Sequence, residues 1–245
     1  MAGFVTETFR QSDHASETIR RAIARCDLMP GATVSESELG KRFNLKRAPT
    51  RTALERLTVH GLVRPMHRRG YQIKPITLRD VNDLYQLREI VERAAVRIAV
   101  GRVDEASLRQ LDKVCSETYT PGDRDSEEGF LRANLEFHML IAHSTGNERL
   151  TSTVRNVLND LERIFHFTMT TRNRTEEMRH EHEALIVALS KGNAVEAERA
   201  ICDELSASKA VVLDALMSSA SLLDVNLTTD SPISRPSGVL GIFPA

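Results

Sequence analysis

The feature that most constrains this chain is a change of hydrophobic period after Gly61. Before it, apolar residues recur at helical spacing, with Ile19, Ala22, Ile23 and Cys26 in one stretch and Leu54 and Leu57 in another. After it, Leu62-Val63-Arg64-Pro65-Met66 and Tyr71-Gln72-Ile73-Lys74 read as two short strands, joined by the turn His67-Arg68-Arg69-Gly70. Past residue 76 no strand pattern returns. The expected fold is therefore mainly α, with a single early hairpin and then an all-α helical bundle.

The helices before the hairpin carry their own punctuation. The first spans residues 16–26, and Pro30-Gly31 breaks the chain after it. Ser35 and Glu38 are spaced as a capping box, and Val34 and Leu39 as a hydrophobic staple, so a short helix starts there and stops near Asn44. A third helix follows over roughly 48–60, with Gly61 as its stop. Pro49 falls in its first turn, where the missing N–H has no helical partner. Two short helices with a tight turn, then a hairpin, outline a winged helix-turn-helix.

Charge says what that unit meets. The chain as a whole carries −1, but residues 1–76 hold 14 Lys+Arg against 7 Asp+Glu, a balance of +7, and the remainder carries −8. Only the first third is suited to a polyanion. Lys46, Arg47 and Arg51 crowd the start of the third helix, where cations oppose the helix dipole unless phosphates neutralise them. The arginine fork can bond O6 and N7 of guanine together. Arg68 and Arg69 sit at the hairpin tip. We therefore place Glu36, Lys46, Arg47, Thr50 and Arg51, with Arg68, Arg69 and Gly70, at an operator DNA interface. One such unit covers only a few base pairs, so a homodimer on an inverted repeat is expected.

The second unit is expected over residues 77–218. Thr77 and Asp80 form a capping box for a helix whose stripe is Leu84, Leu87, Val91, Ala94 and Ile98. A helix over about 105–118 presents Leu108, Leu111 and Val114, and TPGDRDSEEG reads as a loop. Helices near 127–144, 148–170, 176–190 and 194–217 follow, the last opening on Asn193 with Glu196 in the capping-box position. Residues 219–245 read as a tail ending in GVLGIFPA, with an Asn226-Leu227-Thr228 triplet that a cytoplasmic protein would not present for glycosylation. No apolar run approaches the roughly 20 residues of a membrane span, and MAGFVTETFRQSD lacks a secretory core. With Cys26, Cys115 and Cys202 far apart, a reduced, cytoplasmic chain without membrane contact is expected.

The stretch PGATVSESELGKRFNLKRAPTRTALERLTVHGLV…RRGYQI resembles the GntR family of transcriptional regulators, with Pro30, Gly31, Glu36, Leu39, Arg47, Pro49, Arg51, Gly61 and Gly70 in register. The resemblance implies that Arg47 and Arg51 contact DNA. Lys46 replaces the family's capping Ser, and Thr52 its Glu. LREIVERAAVRIA, NLEFHMLIAHSTGNERL and HEHEALIVALSKGNAVEAERAICDEL resemble the FCD ligand-binding domain of the FadR-like branch.

Asn134 and His138 fall in line with Phe130, Phe137 and Ile141, and His182 with Met178, Leu185 and Leu189. The resembled domain lines a pocket with these positions and can hold a metal there, with a third His where this chain has Glu204. Glu204 is in line with Ile201 and Val211, so it points inward. Asn134, His138, His182 and Glu204 form a plausible set for Zn, Ni or Mn. A metal-free polar pocket is the alternative. Arg88 either anchors the carboxylate of a small organic-acid effector or pairs at the surface with Glu92. A different effector, an acyl-CoA, fits the same plan, and a metal-dependent hydrolase is a third reading. No catalytic residue is assigned, because no Ser-His-Asp set, phosphate loop, dinucleotide glycines or H-E-x-x-H is found.

Overall fold

The computed structural model describes residues 2–117, 119–120, 123–169 and 175–219. The first unit contains α1 (Ala2–Ala24), β1 (Thr33–Val34), α2 (Glu36–Arg42), α3 (Arg47–Val59), β2 (Val63–Met66) and β3 (Gly70–Ile73). Ser35 and Glu38 close both halves of the capping box that starts α2. At the end of α3, Gly61 takes φ +70° and the Leu62 N–H donates to the Leu57 carbonyl at 2.9 Å, a left-handed stop that suits glycine. The sheet order is β1-β3-β2, all antiparallel. Sequence reading missed β1, because two residues are too few to show a period. It exists by pairing Thr33 with Gln72 and Val34 with Tyr71. Ile19, Ile23, Leu39, Leu54, Leu57 and Ile73 close the core beneath.

Two details of this unit depart from expectation. The first helix begins well before residue 16 and ends at Ala24. Cys26 therefore leaves its stripe. It takes φ 56° and packs with Ile76, Val81, Tyr85 and Leu161, in the core below the second unit.

The second unit is α4 (Leu78–Ala99), α5 (Glu105–Cys115), α6 (Arg124–Ser144), α7 (Glu148–Met169), α8 (Thr175–Ser190) and α9 (Ala194–Ser219). Thr77 and Asp80 cap α4 as the spacing required. The second half of TPGDRDSEEG is helix, not loop. The Asp123 side chain caps the Asp125 N–H, and Glu127 and Phe130 are buried on the first turns of α6. α5 ends earlier than expected, at Cys115, and Val114 is 41% exposed because the buried face runs through Leu108 and Cys115. The tail lies outside the described residues apart from Ser219, the last residue of α9, so GVLGIFPA and the Asn226 triplet do as well.

The stripe expected on α4 is corrected. The buried face is Val81, Tyr85, Arg88, Val91, Glu92, Ala95, Val96 and Ala99. Ala94 is exposed, and Leu87 and Ile98 are 42% and 40% exposed, beside Ile90 at 62%. α4 lies against α6, α7 and α9, and the face it turns to them is centred on polar Tyr85, Arg88 and Glu92. A count of apolar residues alone put that face a step away. No helix among the described residues is long and apolar enough to cross a membrane.

Candidate functional site

The start of α3 presents Lys46, Arg47 and Arg51 outward, with Arg51 bonded to Glu55 at 3.1 Å. Thr50 does not join them. It is fully buried, and its hydroxyl donates to the Lys46 carbonyl at 2.9 Å, which secures the first turn of α3 in place of a side-chain cap. That corrects its expected place among side chains facing DNA. Glu36 is half-buried at the start of α2, and Arg68 and Arg69 are exposed at the wing tip. Arg68 takes φ 59° and Gly70 φ +90°. A Cβ on Gly70 would meet the Val34 carbonyl oxygen at 2.4 Å, so glycine is what lets the wing close onto β1.

Inside the second unit five helices aim polar side chains at one another. Arg88 and Glu92 come from α4, Asp112 from α5, Asn134 and His138 from α6, His182 from α8, and Glu204 from α9. Arg88, Glu92, Asn134, His138, His182 and Glu204 are all buried. Arg88 does pair with Glu92, at 2.5 Å, but the pair is interior, which corrects the surface alternative.

Each imidazole has a carboxylate behind its Nδ1, although only the His182 contact has hydrogen-bond geometry. His138 Nδ1 lies 2.7 Å from Glu92 Oε2, and His182 Nδ1 lies 3.1 Å from Asp112 Oδ1. Their Nε2 atoms therefore face inward, 3.2 Å and 4.0 Å from Glu204 Oε1. One ligand atom each from His138, His182 and Glu204 fall within 4.8 Å of one another. Carboxylates behind metal-ligating histidines are a recurring way to fix tautomer and orientation. Glu92 and Asp112 were not assigned this role from the sequence. Glu92 had a trace, four residues after Arg88, and so had Asp112, four residues after Leu108 and three before Cys115 on the buried face of α5.

The electrostatics leave a conflict at one atom. Arg88 Nη2 stands 3.0 Å from His138 Nε2, and Glu204 Oε1 stands 3.2 Å from the same nitrogen. The guanidinium asks for a lone pair there and the carboxylate asks for a proton. Burial pushes the His138 pKa down, but Glu92 and Glu204 outweigh burial and hold it at about 9. Burial pushes Glu92 up, and Arg88 and His138 bring it down to about 2. Burial pushes Glu204 up, but His138, with His182 and Arg88, outweighs it and lowers this carboxyl too. Even so, Asn134 Oδ1, His182 Nε2 and Glu204 Oε2 are buried without a hydrogen-bond partner. Buried acceptors of this kind are costly unless a donor or cation meets them. Two imidazole nitrogens, a carboxylate and an amide oxygen fit a borderline divalent ion.

Two cavities that share part of their walls lie beside this cluster. The inner one, about 30 Å³, is lined by Arg88, Asn134, Glu204 and Ser208 below Tyr119, Phe130, Phe165 and Met169. The outer one, about 220 Å³ between α6 and α7, shares Leu131, Asn134 and Phe165 with it.

Known proteins carry the same plan. Residues 11–73 match the family described as bacterial regulatory proteins, gntR family, and residues 83–207 match the FCD domain. The chain belongs to the GntR family of bacterial regulatory proteins, as a DNA-binding transcriptional regulator with an FCD effector domain. Among its relatives is the HTH-type transcriptional regulator YdhC of Bacillus subtilis, 29% identical over 182 residues, 71% of this chain and 79% of that one. The HTH-type transcriptional repressor RspR of Escherichia coli is 26% identical over 187 residues, 76% of this chain and 82% of that one. The same fold is found in E. coli McbR/YncC, with TM-score 0.65 at 18% identity over 83% of this chain and 97% of that one. A GntR transcriptional regulator from Rhodococcus sp. RHA1 gives TM-score 0.64 at 22% identity over 84% and 99%.

Proposed function

We propose that this regulator, of the FadR-like branch, senses a small carboxylate through a divalent metal held by Asn134, His138, His182 and Glu204, and passes the signal from a unit over residues 77–218 to a DNA reader over 1–76. The observation that carries the reading is the inward pair of imidazole Nε2 atoms at Glu204, each backed by its own carboxylate. With His138 protonated, Arg88 and His138 face Glu92 and Glu204, with the Asp112 carboxylate behind His182, and the pocket has no positive charge to offer an anion. Exchanging the His138 proton for a divalent ion adds one positive charge at the centre of the cluster, where a carboxylate effector would meet it. The same exchange removes the conflict at His138 Nε2 and frees Arg88 as a second anchor for the carboxylate. The bound ion would supply Lewis acidity for holding the ligand, and no group here is assigned a catalytic step.

An acyl-CoA is poorly served, since each chamber is smaller than the roughly 300–1,000 Å³ of pockets for drug-sized ligands. Arg47 and Arg51 are read as groove contacts, and Arg68 and Arg69 as backbone contacts from the wing. Leu87, Ile90 and Ile98 give α4 an exposed apolar face that a second copy would cover, consistent with a cytoplasmic homodimer on an inverted repeat. Metal analysis of protein purified without a histidine tag tests the central point. We expect close to one equivalent of zinc, nickel or manganese per chain, lost in His138→Ala. Less than about a tenth of an equivalent after reconstitution would reject the site.

A further inference from the structure

The stretch of α1 before residue 16, which sequence reading left out, brings further basic side chains to the start of α3. Arg10 and His14 are exposed and four residues apart, so they share one face of α1, while Ala15 and Ile19 on another face close the core. Between Arg10, His14 and the turn before α3 lies an open cleft of about 350 Å³. Its polar lining is Arg10, Gln11 and His14 from α1, Asn44 from the turn, and Lys46 at the cap of α3. Every one of these side chains carries an N–H donor, and none is a carboxylate.

The acids on this part of α1 already have partners. Asp13 is bonded by Arg56 at 2.5 Å, which ties α1 to α3, and Glu17 is held by Arg20 at 2.7 Å. Among the described residues no ion pair reaches Arg10, His14 or Lys46. Arg10 and Lys46 therefore border one cleft as like charges, an arrangement that an entering anion relieves. The cleft runs directly into Lys46 and Arg47, the residues read as meeting DNA. A helix lying in the major groove is bordered by phosphates, whose oxygens only accept, and a surface made of donors is their complement. Arg10 also lies outside residues 11–73, the stretch matched to the gntR family, so the family plan does not account for it.

We propose that Arg10 and His14 extend the DNA interface onto α1, where with Lys46 they hold the phosphate backbone bordering the groove that α3 enters. This rests on the reading of Arg47 and Arg51 as groove contacts. The test uses the full-length protein and two DNA duplexes, one selected by this protein from a random pool and one of unselected sequence. Affinities are read by fluorescence anisotropy from about 0.05 to 0.2 M salt, the range in which phosphate contacts dominate. Losing one such contact lowers the slope of log K against log salt by about 0.9, roughly eightfold in affinity between 1 M and 0.1 M. Arg10→Ala should show that loss of slope and weaken both duplexes alike, by about fivefold or more, with no change in melting temperature. Arg10→Lys should keep the slope, and adding His14→Ala to Arg10→Ala should weaken binding further. Arg20→Ala, whose guanidinium is engaged by Glu17, should leave binding as it was. An unchanged slope in Arg10→Ala overturns the proposal, and no further loss from His14→Ala removes His14 from it. A loss confined to the selected duplex also overturns it, because Arg10 would then read bases. Arg47→Ala separates the two readings. A larger loss on the selected duplex keeps α3 in the groove whatever Arg10 does, and no loss on either removes the groove reading and this proposal with it.

Discussion

Arg88→Met tests whether the pocket is a closed, charge-balanced interior. The substitution keeps an unbranched side chain of similar length and removes one of the two cations that face Glu92 and Glu204. Arg88 is 1% exposed and Glu92 4%, so bulk water does not take over the lost partner. Breaking a buried pair by removing one side costs about 3–5 kcal/mol, because the other charge stays behind. At about 2–4 °C per kcal/mol for a chain of this size, thermal unfolding of the metal-free protein at pH 7 should fall by roughly 6–20 °C. Glu92 retains His138 at 2.7 Å, which places the expectation toward the lower part of that range. The double variant Arg88→Met with Glu92→Gln restores balance and should recover about 1 kcal/mol or more relative to the sum of the single effects. A drop of less than about 2 °C in the single variant, or simple additivity in the double, would refute the reasoning.

Three further outcomes follow from the same structure. His138 has a folded pKa of about 9, above its usual 6.5, so its contribution is full below pH 6.5 and is lost as pH rises through 9. His166, at about 4, is kept neutral by burial and weakens the fold as pH falls from 6.5 toward 4. Metal-free protein should therefore be most stable near pH 6.5 in urea titrations, and a flat profile from 6.5 to 9 would contradict the His138 assignment. Gly70→Ala forces a Cβ onto the Val34 carbonyl at φ +90° and should cost about 1–3 kcal/mol of stability together with DNA affinity, seen by circular dichroism and gel shift. Arg47→Ala should weaken operator binding by about 1–3 kcal/mol without changing the melting temperature, whereas Thr50→Val, which loses the bond to the Lys46 carbonyl, should lower the melting temperature.

Much of the DNA-reading unit is legible in the sequence, because its boundaries are set by local chemistry. Ser35 with Glu38, Gly61 after Leu57, and Thr77 with Asp80 each fix a helix end through bonds between near neighbours. What local chemistry does not encode was missed. β1 depends on a partner some forty residues away, and Thr50 looks like any hydroxyl residue on a basic face until the turn that buries it is built.

The pocket divides along the same line. Asn134, His138, His182 and Glu204 could be placed inward because each shares a helical stripe with apolar residues, a property of one helix at a time. Arg88 was read inward only as one of two options, and Glu92 not at all, because the buried face of α4 is polar at its centre. Apolar periodicity then points to Leu87 and Ile98 and turns the helix away from its true packing. A polar interior face is stable only when other helices bring the compensating groups, and here those groups come from α6 and α9. No single helix of the domain contains that information. Asp112 makes the point most sharply, since on α5 it shares the stripe of Leu108 and Cys115 with no partner on that helix, and only the approach of His182 from α8 gives its carboxylate a role.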